Sequence, residues 1–271
     1  MASRPRILTL TTDFGADGPY VAAMKGVILG HVPDARLVDV SHAIEPQNVR
    51  EAAFVLSSII DDFPRGTVHL AVVDPGVGTS RRALVVSARE QWFIGPDNGL
   101  VPLALREDET LDARVLVNPT IRRPRVSATF HGRDVFAPVA AYVLRGGPIT
   151  ELGPRAHDIV RLPAFTARQE ERGLLGQVLF RDRFGNLITN VPAASLVGKP
   201  LDSWTLSIGD ESIAGISRTY GDHRPGTLIA LGGSGGMIEV AVVQGDAATR
   251  LGAGPGAEVR LVSHSKGWMD G

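Results

Sequence analysis

Helical spacing of apolar residues runs through the first half of this chain and almost disappears from the second, which limits the possible folds more than any other feature. In the first half, strand-like and helix-like runs alternate. Residues 7–12, 36–40, 67–74, 83–87, 92–94 and 114–117 read as strands; 20–29, 100–105 and about 134–144 read as helices. Between them Val49, Ala52, Ala53, Leu56, Ile59, Ile60 and Phe63 recur at helical spacing. Such alternation predicts an α/β domain over 1–164, a mostly parallel sheet with helices on both faces.

The pattern breaks over 146–172 into Gly, Pro and charge, including Gly146-Gly147-Pro148 and Arg168-Gln169-Glu170-Glu171-Arg172, which reads as a linker. Beyond it, 175–182, 187–190, 204–208, 227–231, 237–243 and 258–262 read as short strands between Gly, Pro and Asp turns. Only 193–197 and 247–251 look like helical turns. A smaller all-β domain, barrel-like or a sandwich, is expected over 173–271.

Composition removes several function classes. Twenty-eight Lys and Arg against 29 Asp and Glu leave a formal net charge of −1. A nucleic-acid binder, which must neutralise several phosphates, normally carries a basic excess. With no cysteine, disulfides and thiolate metal sites cannot form. The seven histidines show no two-ligand helical spacing, so no metal is expected. Ile7-Leu8-Thr9-Leu10 is too short for a signal core and no later run could span a bilayer. These features predict a soluble, cytoplasmic protein with a small-molecule ligand rather than a nucleic-acid or membrane partner.

Chemistry concentrates at the end of one apolar run. In Val72-Val73-Asp74-Pro75-Gly76-Val77-Gly78 a strand delivers a carboxylate to a turn of small residues, and in α/β sheets ligands bind at such carboxyl ends. Arg81 follows seven positions later. His131 lies in Ala128-Thr129-Phe130-His131-Gly132-Arg133-Asp134, just before a helical pattern. Asp74 and Arg81 are equally readable as a structural ion pair, His131 as a surface residue, and Asp13, after the first strand, as a helix cap or Asx turn. Asp182-Arg183-Phe184-Gly185-Asn186 reads as a hairpin turn and Gly232-Gly233-Ser234-Gly235-Gly236 as a flexible one. Gly252-Ala253-Gly254-Pro255-Gly256 lies outside any strand-to-helix unit and is a turn rather than a dinucleotide fingerprint.

Taken in order, Thr11-Thr12-Asp13-Phe14-Gly15, the Asp74 and Arg81 segment, the His131 segment and 182–190 resemble the S-adenosyl-L-methionine hydroxide adenosyltransferase family, over about 7–262. That family is related to enzymes that halogenate the same substrate at C5′. The resemblance implies hydrolysis of S-adenosylmethionine to adenosine and methionine, with Asp74, Arg81 and His131 acting on water. It implies substrate contacts from Asp13 to the ribose hydroxyls and from Phe130 and Gly132. Asp182 would face the methionine ammonium, Phe184 pack on adenine, Asn186 bond the adenine edge and Ser234 hold the methionine carboxylate. It implies no cofactor, and a homotrimer with sites at subunit interfaces. The acid, arginine and histidine set favours water over halide. A halogenase, or a non-catalytic sensor of adenosine or S-adenosylmethionine, is the alternative.

Overall fold

The computed structural model describes residues 6–105 and 111–264, and the chain divides into two units, Met1–Ala164 and Phe165–Gly271. Unit 1 is a six-stranded sheet of β1 (Ile7–Thr12), β2 (Arg36–Ser41), β3 (Val68–Val72), β4 (Ala83–Ala88), β5 (Gln91–Pro96) and β6 (Asp112–Val115). The strand order is β2-β1-β3-β5-β4-β6. The first four strands in that order are parallel, and β4 runs antiparallel to both β5 and β6.

Strand alternation separates the two faces of this sheet. Leu8, Leu10, Leu70 and Val72 pack with Met24 and Ile28 of α1 (Pro19–His31) and with Val139 and Ala140 of α4 (Ala137–Leu144). Thr9 and His69 occupy the alternate positions, with Thr9 Oγ1 2.8 Å from His69 Nδ1. On that side α2 (Val49–Ser57) and α3 (Leu100–Ala104) pack on each other, α2 also meeting β1 and α3 meeting β5. The fold class therefore agrees with the sequence. Burial drives His69, which stacks on Phe93, down to a pKa of about 4, so it is a neutral core imidazole.

The periodic stretch 49–63 is not one helix. α2 is capped by the Asn48 side chain, which accepts from Glu51 N, and ends at Ser57; a separate 3₁₀ turn covers Ile60–Asp62. Ser57 and Ser58 hydroxyls bond back to the Phe54 and Val55 carbonyls, and Phe63 precedes Pro64; both features disfavour continuation. The helix expected at 134–144 starts earlier, with a wide π turn over Gly132–Phe136 running into α4.

Unit 2 contains β7 (Arg168–Glu170), β8 (Gly173–Arg181), β9 (Leu187–Pro192), β10 (Trp204–Ile208), β11 (Glu211–Ala214), β12 (Leu228–Gly232), β13 (Met237–Val242) and β14 (Glu258–Ser263). They pair antiparallel in the order β11-β10-β14-β8-β9-β13-β12, with β7 added to β8. The parallel bridge between Ser217 and Leu231 joins the chain after β11 to β12, so the barrel is nearly closed. Its core is Trp204, Leu206, Leu261, Val240 and Leu187, all fully buried, with α5 (Ala247–Leu251) capped by Asp246. The polar run read as linker thus supplies a strand. No helix among the described residues is long and apolar enough to cross a membrane.

Candidate active site

Parallel pairing in unit 1 brings two of the expected residues to one sheet edge. Thr12 is in register with Val72, so Asp13 and Asp74 leave adjacent strands at their carboxyl ends. The Asp74 turn is closed by Val77 N to Asp74 O and Thr79 N to Gly76 O, with the Thr79 hydroxyl also donating to Gly76 O. Gly78 sits at φ +78°, where an added Cβ would lie 2.5 Å from the Ala128 carbonyl oxygen. Only glycine permits this approach of the Asp74 turn to the segment that carries His131.

Arg81 joins the two. Its Nε lies 2.9 and 3.0 Å from the Asp74 carboxylate oxygens and its Nη2 bonds Asp74 Oδ2 as well. The same Nη2 is 2.8 Å from His131 Nδ1. The ion pair is well shielded, with side-chain exposures of 11% for Arg81 and 6% for Asp74, and the guanidinium stacks 5.3 Å above Phe136. Guanidinium has no acceptor, so His131 Nδ1 must accept, which leaves the ring neutral with its proton on Nε2. Burial and the Arg81 charge both push the His131 pKa down, in the same direction. The site therefore presents a held cation and an imidazole N–H, both donors, which is the arrangement that stabilises a hydroxide-like nucleophile.

Buried Asp134 fixes the His131 loop. Its carboxylate accepts from Arg133 Nε at 2.7 Å and Ser127 N at 2.8 Å, and the Arg133 bond holds it below the ordinary carboxylate range. Phe130 packs edge-on against Tyr20 and Phe14. Gly132 is buried, and a Cβ there would meet Met24, Phe130 and Phe14 at 3.0–3.3 Å. Asp13 is half-buried; its Oδ2 accepts from Gln47 N at 2.8 Å, and Gln47 itself is held at φ +68°. Thr12 and His42 were missed by sequence reasoning. Thr12 Oγ1 lies 2.8 Å from His42 Nδ1, whose Nε2 is 3.0 Å from Asp39, so a polar chain runs beneath Asp13.

In unit 2 the 182–186 turn opens onto a pocket of about 870 Å³ lined by Phe184, Asn186, Tyr220, His223, Gln244 and Asp246, among others. Phe184, in the lining of that pocket, is 79% exposed. Asp182 accepts from Phe184 N, Asn186 N and Asn186 Nδ2 at 2.8–2.9 Å, so its carboxylate organises the turn. Gly185 takes φ +83° to complete it. Asn186 Nδ2 also reaches Tyr220 Oη at 3.4 Å, and Tyr220 donates to Glu239. Tyr220 and Glu239 carry no sequence signal: one lies in a polar loop and the other alternates outward on a strand. Ser234 is exposed at the tip of the β12–β13 hairpin, which closes through Gly233 N to Met237 O. Among the described residues no cluster of three or more His, Asp or Glu could hold a metal.

Family models described as the N- and C-terminal domains of the SAM hydroxide adenosyltransferases match residues 8–153 and 176–260. The chain is 41% identical to the (R)-S-adenosyl-L-methionine hydrolase of Salinispora arenicola, over 97% of this chain and all of that one. It is 41% identical to the enzyme of the same name from Thermus thermophilus, over 93% and 97%. A solved structure of an uncharacterized conserved protein from Thermotoga maritima superposes with a TM-score of 0.87 at 36% identity, covering 94% of this chain and 99% of that one. Both halves of the chain are thus matched by one family: the protein belongs to the S-adenosyl-L-methionine hydroxide adenosyltransferase family.

Proposed function

We propose that the protein hydrolyses S-adenosyl-L-methionine to adenosine and L-methionine by attack of activated water at C5′. The observation that carries this reading is the Asp74, Arg81 and His131 cluster, set in a family whose relatives include two named (R)-S-adenosyl-L-methionine hydrolases. The sulfonium substrate already contains a good leaving group, methionine as a neutral thioether, so bond breaking needs no acid. Water is the deficient partner, because with a pKa of about 15.7 it is scarcely ionised at neutral pH.

As the C5′–O bond forms and the C5′–S bond breaks, Arg81 and the His131 Nε2–H stabilise hydroxide character on the attacking water, whose proton is released to solvent, and Asp74 keeps Arg81 charged and in place. Alignment of that water for in-line attack supplies a further large share of the rate. Asp13 binds the ribose hydroxyls beside Phe130 and Gly132; Phe184 stacks on the adenine and Asn186 bonds its edge. Asp182 and Ser234 serve the methionine ammonium and carboxylate. We further propose that the reaction uses no metal or cofactor and that the protein is a homotrimer, a mass that light scattering measures.

Pure protein incubated with S-adenosylmethionine should release adenosine and methionine in equal amounts on chromatography, unchanged by chloride or by a chelator. A 5′-halogenated adenosine in the presence of halide would favour the halogenase, and tight binding without turnover would favour a sensor.

The pH profile follows from the hydrogen-bond pattern. His131 must be neutral to accept from Arg81, and its pKa is lowered from 6.5. The acid limb of kcat/KM should therefore fall below pH 6.5, with activity lost as His131 protonates. An acid limb centred above 6.5 would show that His131 is not held below its ordinary range, and activity lost as the pH rises through the His131 range would show that the protonated ring is the active form.

A further inference from the structure

Two members of one polar network in unit 2, Tyr220 and Glu239, have no role in the scheme above. Asn186 Nδ2 donates in two directions, to Asp182 Oδ2 at 2.9 Å and to Tyr220 Oη at 3.4 Å. The Tyr220 hydroxyl proton is committed to Glu239 Oε1, so towards Asn186 that oxygen can act only as an acceptor. Both anchors of the carboxamide are thus acceptors. Rotating the amide by half a turn would set its oxygen against a carboxylate and a phenol lone pair, replacing two attractions by two repulsions. The amide nitrogen is held inward and Oδ1 is left as an acceptor at the lining of the pocket, beside the exposed ring of Phe184.

We propose that Tyr220 and Glu239 are positioning residues that lock the Asn186 carboxamide with its oxygen presented, so that the pocket selects a 6-amino purine over its 6-oxo counterpart. This rests on the reading that the substrate's base binds against Phe184 and Asn186. A presented carbonyl complements an exocyclic amino group and repels a ring carbonyl. A freely flipping carboxamide accepts either partner equally well. Glu239 is half-buried, and burial pushes its carboxyl upward, as does the nearby Asp182, while the Tyr220 bond opposes them.

The test compares S-adenosylmethionine with its deaminated, 6-oxo analogue as substrates for the wild type, Tyr220→Phe and Glu239→Gln, each checked for an unchanged circular dichroism spectrum. The wild type should favour the amino compound. Tyr220→Phe removes one of the two acceptors that hold the amide, and the ratio of kcat/KM values should fall about fivefold, the usual weight of one neutral hydrogen bond. Glu239→Gln lets the Gln amide donate to Tyr220, frees the hydroxyl proton to turn towards Asn186, and should lower the ratio by a similar factor. Calorimetry with adenosine and inosine reads the same preference without turnover. Folded variants that keep the wild-type ratio in both assays would overturn the proposal while leaving hydrolysis intact. Loss of adenosine preference in the variants of a protein that fails to turn over would uphold it and remove hydrolysis instead. A wild type that binds neither nucleoside and turns over neither substrate would overturn both.

Discussion

Replacing His131 with Ala, or Asp74 with Asn, should lower kcat by about 10²- to 10⁴-fold while changing the affinity for S-adenosylmethionine far less, because in the proposed scheme both residues act on water rather than on groups that recognise the substrate. The two variants remove different things. His131→Ala deletes the N–H assigned to the nucleophile in that scheme and removes one of the two acceptors of Arg81 Nη2. Asp74→Asn keeps the volume but withdraws the negative charge that fixes Arg81 through three bonds. Asp74→Ala should be equally inactive and also less stable by about 3–5 kcal/mol, since a guanidinium shielded from solvent would lose its counter-ion. Single-turnover rates and equilibrium binding, measured with a denaturation curve for each variant, separate these effects. Equal loss of binding and turnover, or a folded His131→Ala enzyme with wild-type kcat, would count against the water-activating assignment.

The second large effect is on the barrel of unit 2. Gly173 pairs with Val262 on β14, and a Cβ built there would lie 1.8 Å from the Leu261 carbonyl oxygen and 2.8 Å from its carbon. Backbone, unlike the end of a flexible side chain, cannot step aside without breaking the ladder that joins β8 to β14. Gly173→Ala should therefore cost about 3 kcal/mol, the upper end of what inserting one carbon into a packed site does. Urea denaturation measures it, and a loss below about 0.5 kcal/mol, the scale of an ordinary surface change, would show that the strands separate more easily than this packing allows.

How far the sequence reveals this molecule depends on how each element earns its burial. Strands with an apolar run or alternation, such as β1, β3 and β10, are legible because their side chains meet a core. β7 and β11 are not. Arg168-Gln169-Glu170 is mostly exposed on the edge of β8, held by backbone bonds to Leu174 and its neighbours, and Glu211–Ala214 buries only Ile213. Edge strands formed by backbone pairing leave little trace in hydropathy. The opposite error occurred at 49–63, where apolar spacing continues through a helix end that two serines and a proline impose.

The candidate site follows the same rule. Asp74, Arg81 and His131 can be named from sequence, but their union is made by the Gly78 approach to Ala128, which no spacing displays. The tautomer of His131 follows only from Arg81 lying on Nδ1. Asp182 is another case: its three bonds to the turn are the local Asx chemistry that its Asp-x-x-Gly-Asn setting suggests, and the organisation of Asn186 through Tyr220 and Glu239 is a tertiary contact that joins the turn to a distant loop and to β13.

The central claim is that water itself displaces methionine at C5′, and it is tested most directly by a single turnover in oxygen-18 water with substrate made chiral by isotope at C5′. Direct attack predicts one labelled oxygen in the 5′-hydroxyl of adenosine, none in methionine, and inversion at C5′. The competing course is a covalent one in which an Asp74 oxygen takes C5′ first and water then releases it. Retention at C5′, or label found in the Asp74 carboxylate after one turnover, would contradict the account.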